Sequence, residues 1–210
     1  MIRILIADDH AIVRRGLKEI LLRELEDAVC GEAEDAQQVL AQVQSHDWDL
    51  VLLDITMPGR SGLDVLKDLK MLRPKLPVLV LSMHPEDQYG KRLLKAGASG
   101  YVNKRSAPEE LVKAIRKLLA GGTYVSPALA ERLAIDLHDD AVRPVHETLS
   151  DREFEVLRMI ASGKTVSQIA EKLHLSVATV STYRARILEK MNMTTTAELM
   201  HYALSNHLVD

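Results

Sequence analysis

Two stretches decide the fold: Ile2-Arg3-Ile4-Leu5-Ile6-Ala7-Asp8-Asp9 at the start of the chain, and Asp49-Leu50-Val51-Leu52-Leu53-Asp54 further along. Each is a brief run heavy in Leu, Ile or Val that stops on carboxylates. A short run bounded by polar residues reads as a strand, and near-continuous apolarity reads as a strand covered on both faces. Working outward, comparable runs recur at residues 28–31, 77–82 and 100–103. Stretches with helical spacing lie between them, at residues 36–45, 63–72, 86–96 and 108–120. An earlier one is expected to place Ile12, Leu17, Ile20, Leu21 and Leu25 on one stripe. This alternation predicts an α/β fold, a five-stranded parallel, doubly wound sheet with right-handed crossovers and helices on both faces.

Gly121-Gly122 closes that block. Ser126-Pro127 reads as an N-cap followed by proline at the first helical position, starting a short helix to about Leu137. Residues 138–146 have no period and read as linker, and the Met57-Pro58-Gly59 turn reads as positioning the loop after Asp54. From Ser150 the chain is all helix. Ser150-x-x-Glu153, Thr165-x-x-Gln168 and Thr195-x-x-Glu198 match the capping box. Ser176 is a simple N-cap, and Gly163 sits where a helix needs a left-handed residue to stop. The helices are expected at about 151–161, 166–173, 177–191 and 196–206. Three regions follow: an α/β domain over 1–122, a linker with a short helix over 123–146, and a small all-α helix-turn-helix domain over 147–210.

Composition sets the outer bounds. The 210 residues are 47% hydrophobic and 27% charged, which is globular rather than disordered. The longest apolar runs, 50–53 and 78–81, are far too short for a bilayer. The opening apolar run meets Asp8-Asp9 at once, unlike a signal peptide. Cys30 is the single cysteine, so an intramolecular disulfide and a Cys-built zinc site are excluded; its place in an apolar run reads as core packing. The expected location is cytoplasmic, without a membrane partner. Net charge is −3, with residues 1–122 balanced, 123–146 at −2 and 147–210 at −1. Bulk charge therefore announces no nucleic-acid binder.

The chemistry lies at the strand ends. The first predicted strand ends in Asp8-Asp9, the third in Asp54, the fourth in Ser82 and the fifth in Lys104. In an open parallel sheet, ligands sit beyond the carboxyl ends of the strands, where strand order reverses. If the first and third strands flank that reversal, Asp8, Asp9 and Asp54 converge. Three neighbouring carboxylates repel strongly and need compensation. Lys104 supplies one charge, and a hard divalent cation with oxygen ligands, Mg²⁺, supplies the rest. Such a site suits phosphoryl chemistry: a carboxylate attacks phosphorus, while the cation and Lys104 neutralise the equatorial oxygens and Ser82 donates to one of them. Asp54 stands alone at its strand end and is the expected acceptor. Asp8 and Asp9 are the expected metal holders, and His10 is expected only to line the loop.

Residues 1–122 resemble the receiver domain of two-component response regulators, a flavodoxin-like fold. The matching segments are Ala7-Asp8-Asp9-His10, Leu53-Asp54-Ile55-Thr56-Met57-Pro58-Gly59, Leu81-Ser82 and Gly100-Tyr101-Val102-Asn103-Lys104. The resemblance implies that a sensor histidine kinase phosphorylates Asp54, that Asp9 binds Mg²⁺ with help from Asp8, and that Thr56 adds a backbone carbonyl. It also implies a switch in which Ser82 moves toward the phosphoryl group and the Tyr101 ring turns inward. Arg105 stands where many receivers have proline, so a cis peptide there is not implied.

Residues 166–173, a turn at His174-Leu175 and residues 177–191 read as helix-turn-helix. Ile169, Ala170 and Leu173 are expected to share a core with Leu175, Val180 and Ile187. The second helix would enter the DNA major groove, exposing Ser181, Thr182, Arg184, Ala185, Arg186 and Lys190, with Thr179 and Tyr183 near its start. Three basic residues and one acidic residue fall between 176 and 191, so positive charge is concentrated there. The segments Leu149-Ser150-Asp151-Arg152-Glu153-Phe154-Glu155-Val156-Leu157, Ile169-Ala170-Glu171-Lys172-Leu173 and Thr179-Val180-Ser181-Thr182-Tyr183 resemble the LuxR-type helix-turn-helix of the NarL/FixJ class. The resemblance implies that Ser181, Thr182 and Ala185 face bases, and that Thr179, Tyr183, Arg184, Arg186 and Lys190 mostly touch phosphate and sugar. Ser181 replaces a common lysine, which shifts base readout toward water, methyl contact and DNA shape. The last helix resembles a dimerisation helix with Leu199, Met200, Ala203 and Leu204 as its apolar face.

The combined reading is a phosphorylation-controlled, DNA-binding transcriptional regulator, a homodimer once activated, with double-stranded DNA, a histidine kinase and RNA polymerase as partners. It is not expected to be an enzyme beyond slow loss of its own phosphoryl group. An aspartyl-phosphate phosphatase is the enzymatic alternative, but such enzymes usually carry a second aspartate where Thr56 stands. A receiver used only for dimerisation is the other, and it usually lacks the acidic pair or the lysine.

Overall fold

The computed structural model describes residues 1–57, 60–83, 86–106, 108–138 and 144–209. Strand and helix alternate from the start: β1 (Ile2–Ala7), α1 (Ala11–Glu24), β2 (Ala28–Ala33), α2 (Ala36–Ser45), β3 (Leu50–Asp54), α3 (Gly62–Leu72), β4 (Val78–Ser82), α4 (Glu86–Lys95), β5 (Gly100–Asn103) and α5 (Pro108–Leu119). The strands pair in the order β2-β1-β3-β4-β5, and every pairing is parallel. The chain goes from β1 to one neighbour, β2, then crosses to the other, β3. Strand order therefore reverses between β1 and β3, and their carboxyl ends carry Asp8 and Asp54.

The apolar runs are buried as expected. β3 and β4 are covered along their whole lengths, whereas the edge strand β2 leaves Val29 and Glu32 exposed. Ile4, Ile6, Leu50, Leu52, Leu79 and Leu81 alternate onto one face and pack with Leu21 and Leu25 from the first helical segment and Leu111, Ile115 and Leu118 from α5. Each such burial stabilises by about 1.5–3 kcal/mol. Ile12 does not join them and is 83% exposed. It lies nine residues before Leu21, and at about 100° per residue that puts it on the opposite side of α1. Cys30 is half-buried against the core, which pushes its thiol upward.

A sixth helix, α6 (Pro127–His138), starts where Ser126 Oγ accepts the Leu129 N–H at 3.1 Å. It packs on α4. Leu129 is buried over Gly90, where a Cβ would come within 2.6 Å of the leucine. Tyr124 forms a parallel bridge with Gly100. The chain divides into two compact units, Met1–His138 and Asp139–Asp210, so this segment joins the first. Most of the expected linker, residues 139–143, lies outside the described residues, as do Pro58 and Gly59 of the expected turn.

The second unit begins with a short helical turn, Val145–Thr148, followed by α7 (Asp151–Ala161), α8 (Val166–Leu173), α9 (Val177–Lys190) and α10 (Thr196–Ser205). All three predicted capping boxes form. Gly163 (φ 79°) and His174 (φ 52°) take the left-handed conformation at the two turns. Phe154, Leu157, Ile169, Leu173, Val180 and Ile187 fill the core, and α7 packs against α8, α9 and α10. Among the described residues no helix is long and apolar enough to cross a membrane.

Candidate functional site

Backbone hydrogen bonds align the strand ends. The Asp8 N–H donates to the Ala33 carbonyl (3.1 Å), the Ile55 N–H to Leu81 (3.3 Å) and the Lys104 N–H to Ser82 (2.8 Å). The carboxyl ends of β1, β3, β4 and β5 therefore line one edge, and side chains from three of them meet there. Lys104 Nζ lies 2.5 Å from Asp8 Oδ2 and 2.7 Å from Asp54 Oδ2. The remaining oxygens are held by backbone: Asp8 Oδ1 accepts the His10 N–H (2.8 Å), and Asp54 Oδ1 accepts the Thr56 N–H (3.0 Å). Gly62 lets α3 start against this loop, because a Cβ there would stand 2.4 Å from Ile55 Cα.

Asp8, Asp54 and Ser82 are buried. Burial pushes the Asp54 carboxyl above its ordinary range; Lys104 pulls it back only partly, and Asp8 adds to the rise. For Lys104, burial opposes the charge, but the hydrogen bonds to Asp54 and Asp8 outweigh it and the ammonium is held above its usual value.

Asp8, Asp9, His10 and Asp54 each offer one ligand atom, and these atoms lie within 4.8 Å of one another. Among the described residues, Asp9 Oδ1 is buried without a hydrogen-bond partner, although His10 Nδ1 lies 2.9 Å from it. An orphaned carboxylate oxygen facing two more carboxylates is the donor set a hard cation takes. The residues therefore fit a divalent metal. His10, expected only to line the loop, brings its ring into the cluster; the Asp8-Asp9-His10 run was the available signal.

Ser82 ends β4 beside Asn103, and Tyr101 is buried on β5 with its ring turned in. The Thr56 side chain is exposed, so its part in the loop is played by backbone. No described peptide bond is cis, including that preceding Arg105.

In the helical unit, Ser181, Thr182, Ala185 and Arg186 are exposed on α9, while Thr179, Tyr183 and Arg184 are half-buried. Two residues expected at phosphate also bond within the unit. Arg184 Nε donates to Thr196 Oγ1 (2.9 Å), and Lys190 Nζ donates to the buried Glu153 Oε2 (2.7 Å). They tie α9 to α10 and α7. Thr179 Oγ1 lies 2.7 Å from Ser176 Oγ, inside the cap of α9. Arg186 has no side-chain partner among the described residues. The expected dimerisation face also divides. Leu199 and Ala203 are buried in the unit's own core, because α10 packs on α7; Leu204 stays exposed and Met200 half-exposed.

Residues 4–116 match the family model of the response regulator receiver domain, and residues 147–203 that of bacterial regulatory proteins of the luxR family. The chain is 38% identical over 215 residues to the response regulator GacA of Pseudomonas aeruginosa, covering 100% of this chain and 99% of the relative. It is similar to the structure of RcsB from Salmonella enterica serovar Typhimurium bound to the rprA promoter with the phosphomimetic BeF3−. The TM-score there is 0.66 at 29% identity, covering 98% of this chain and 100% of that one. A structure of two RcsB dimers on two parallel DNAs matches with TM-score 0.60 at 29% identity, covering 97% and 98% of the two chains.

Proposed function

Because this chain belongs to the response regulators, with a receiver domain followed by a luxR-family regulatory domain, we propose that a phosphoryl group on Asp54 controls its binding to double-stranded DNA. The observation that carries this is Lys104 bridging Asp8 and Asp54 beside the unpartnered oxygen of Asp9. An Asp54 oxygen attacks phosphorus of a phosphohistidine on a sensor kinase. The P–O bond forms as the P–N bond breaks, and the imidazole leaves with a proton. Lys104 and the Thr56 N–H hold the Asp54 carboxylate in a fixed orientation for that attack. Lys104 then moves its hydrogen bond from the carboxylate to a phosphoryl oxygen, and Ser82 donates to another. Asp8, Asp9 and Asp54, with the Thr56 carbonyl, would hold Mg²⁺, which neutralises phosphoryl charge when bound.

Release of Asp54 from Lys104 is the local change that the switch reads through Ser82 and Tyr101. The Tyr101 ring is already buried, so its part is to be held there rather than to swing in. Two chains pair on activation, with Met200 and Leu204 as the exposed apolar part of α10, and each presents α9 to one half-site. The promoter-bound and dimeric RcsB structures support this reading. RNA polymerase is the partner that makes such binding regulatory, and a cytoplasmic location places the kinase and DNA within reach. Thr56 stands where an aspartyl-phosphate phosphatase usually carries a second aspartate, which supports slow loss of the phosphoryl group rather than turnover. With Mg²⁺ and a small acyl phosphate donor, wild-type protein should take one phosphoryl label that base and hydroxylamine remove, and Asp54→Asn none; labelling that persists in the variant would move the acceptor elsewhere.

A further inference from the structure

The exposed face of α9 is short of hydrogen-bond donors. At about 100° per residue, Val177, Ser181 and Ala185 form one stripe, flanked by Ala178, Thr182 and Arg186, and all six are exposed. Val177 is 52% exposed at the first position of the helix, where a β-branched apolar side chain gains nothing from water. Both hydroxyls on this face are turned back: Ser181 Oγ donates to the Val177 carbonyl (2.9 Å), and Thr182 Oγ1 to the Ala178 carbonyl (3.0 Å). They keep lone pairs for accepting, and Thr182 presents its methyl. Arg184 and Lys190 each donate a hydrogen bond within the unit, toward α10 and α7. Arg186 is the long donor within this set of six, about two and a half turns beyond the helix start.

Guanine is read in the major groove by long donors aimed at O6 and N7, and thymine by apolar contact with its 5-methyl group. Resting on the DNA-binding reading above, we propose that α9 reads thymine methyl groups, through Val177, Ala185 and the methyl of Thr182, so that the core of each half-site is A·T. The acceptor-only hydroxyls agree with this, since they can take an adenine N6 hydrogen from the paired strand.

The test uses the full chain. Duplexes are selected from a random pool, and affinity is then measured with single thymidines replaced by deoxyuridine, which deletes only the methyl group. A·T pairs should dominate the half-site core, and each contacted methyl should be worth about a four-fold loss. Val177→Ala and Thr182→Ser should each erase the penalty at its own position. A G·C core, deoxyuridine copies that bind as well as the parent, or penalties unmoved by both variants would overturn the inference while leaving DNA binding intact. Absence of salt-sensitive binding to any duplex would remove the DNA-binding reading and this inference with it.

Discussion

Lys104 holds the charge balance of the acidic edge, since Asp8 and Asp54 are buried and both lean on it. Removing one member of a buried ionic cluster leaves uncompensated charge, at a cost of about 3–5 kcal/mol. Lys104→Met should therefore lower the melting temperature of the first unit sharply in chelator, and Mg²⁺ should restore more stability to the variant than it adds to wild type. Equal Mg²⁺ effects on both would mean that the lysine and the cation do not share a site. Arg186 and Lys190 make a second contrast, because sequence assigns both to phosphate while the structure ties Lys190 to Glu153. Arg186→Ala should weaken binding to all duplexes and reduce the logarithmic salt slope by about 1. Lys190→Ala should instead lower stability, with little change in that slope. The strand-end carboxylates were legible because each ends an apolar run. The partners of Lys190 and Arg184 were not, because spacing within one helix says nothing of what a neighbouring helix presents.

At the scale of elements, α9 is held to α7 by a buried acid. Glu153 is desolvated, which by itself would raise its carboxyl, but hydrogen bonds from Lys190 and Ser150 prevail and hold it below the usual range. A carboxyl lowered on folding stabilises the native state above its unfolded pKa, and that stability drains away as pH falls through the folded value. Urea melts of the helical unit should thus lose stability on the acid side of the ordinary glutamate range, and Glu153→Gln should flatten that dependence. An unchanged acid limb in the variant would place the sensitivity elsewhere. In the helical unit, helix starts were readable to the residue because caps are local chemistry; α3 starts one residue earlier than expected, at Gly62. Faces were less so: Ile12 fell half a turn from Leu21, and Leu199 and Ala203 turned inward because α10 has α7 to cover. Apolar spacing marks a face but not which partner, the unit's own core or a second chain, will bury it.

At the scale of the molecule, the first unit extends past the double glycine to His138. Gly90, a costly residue inside a helix, is the trace of this in the sequence: it leaves room for Leu129 of α6. A chain of residues 1–138 should be more stable than one of residues 1–122 by about 2 kcal/mol, or roughly 5–10 °C in Tm. Coincident melts would make α6 an appendage. The two units are joined in one chain, so that chemistry in the first can govern contact made by the second. The direct measure of that coupling is the affinity of the full chain for its selected duplex at fixed salt and Mg²⁺, with and without a small acyl phosphate donor, for wild type and Asp54→Asn. Wild type should bind more tightly once the donor is added, and the variant should not respond. An equal response in both, or none in fully labelled wild type, would contradict the account.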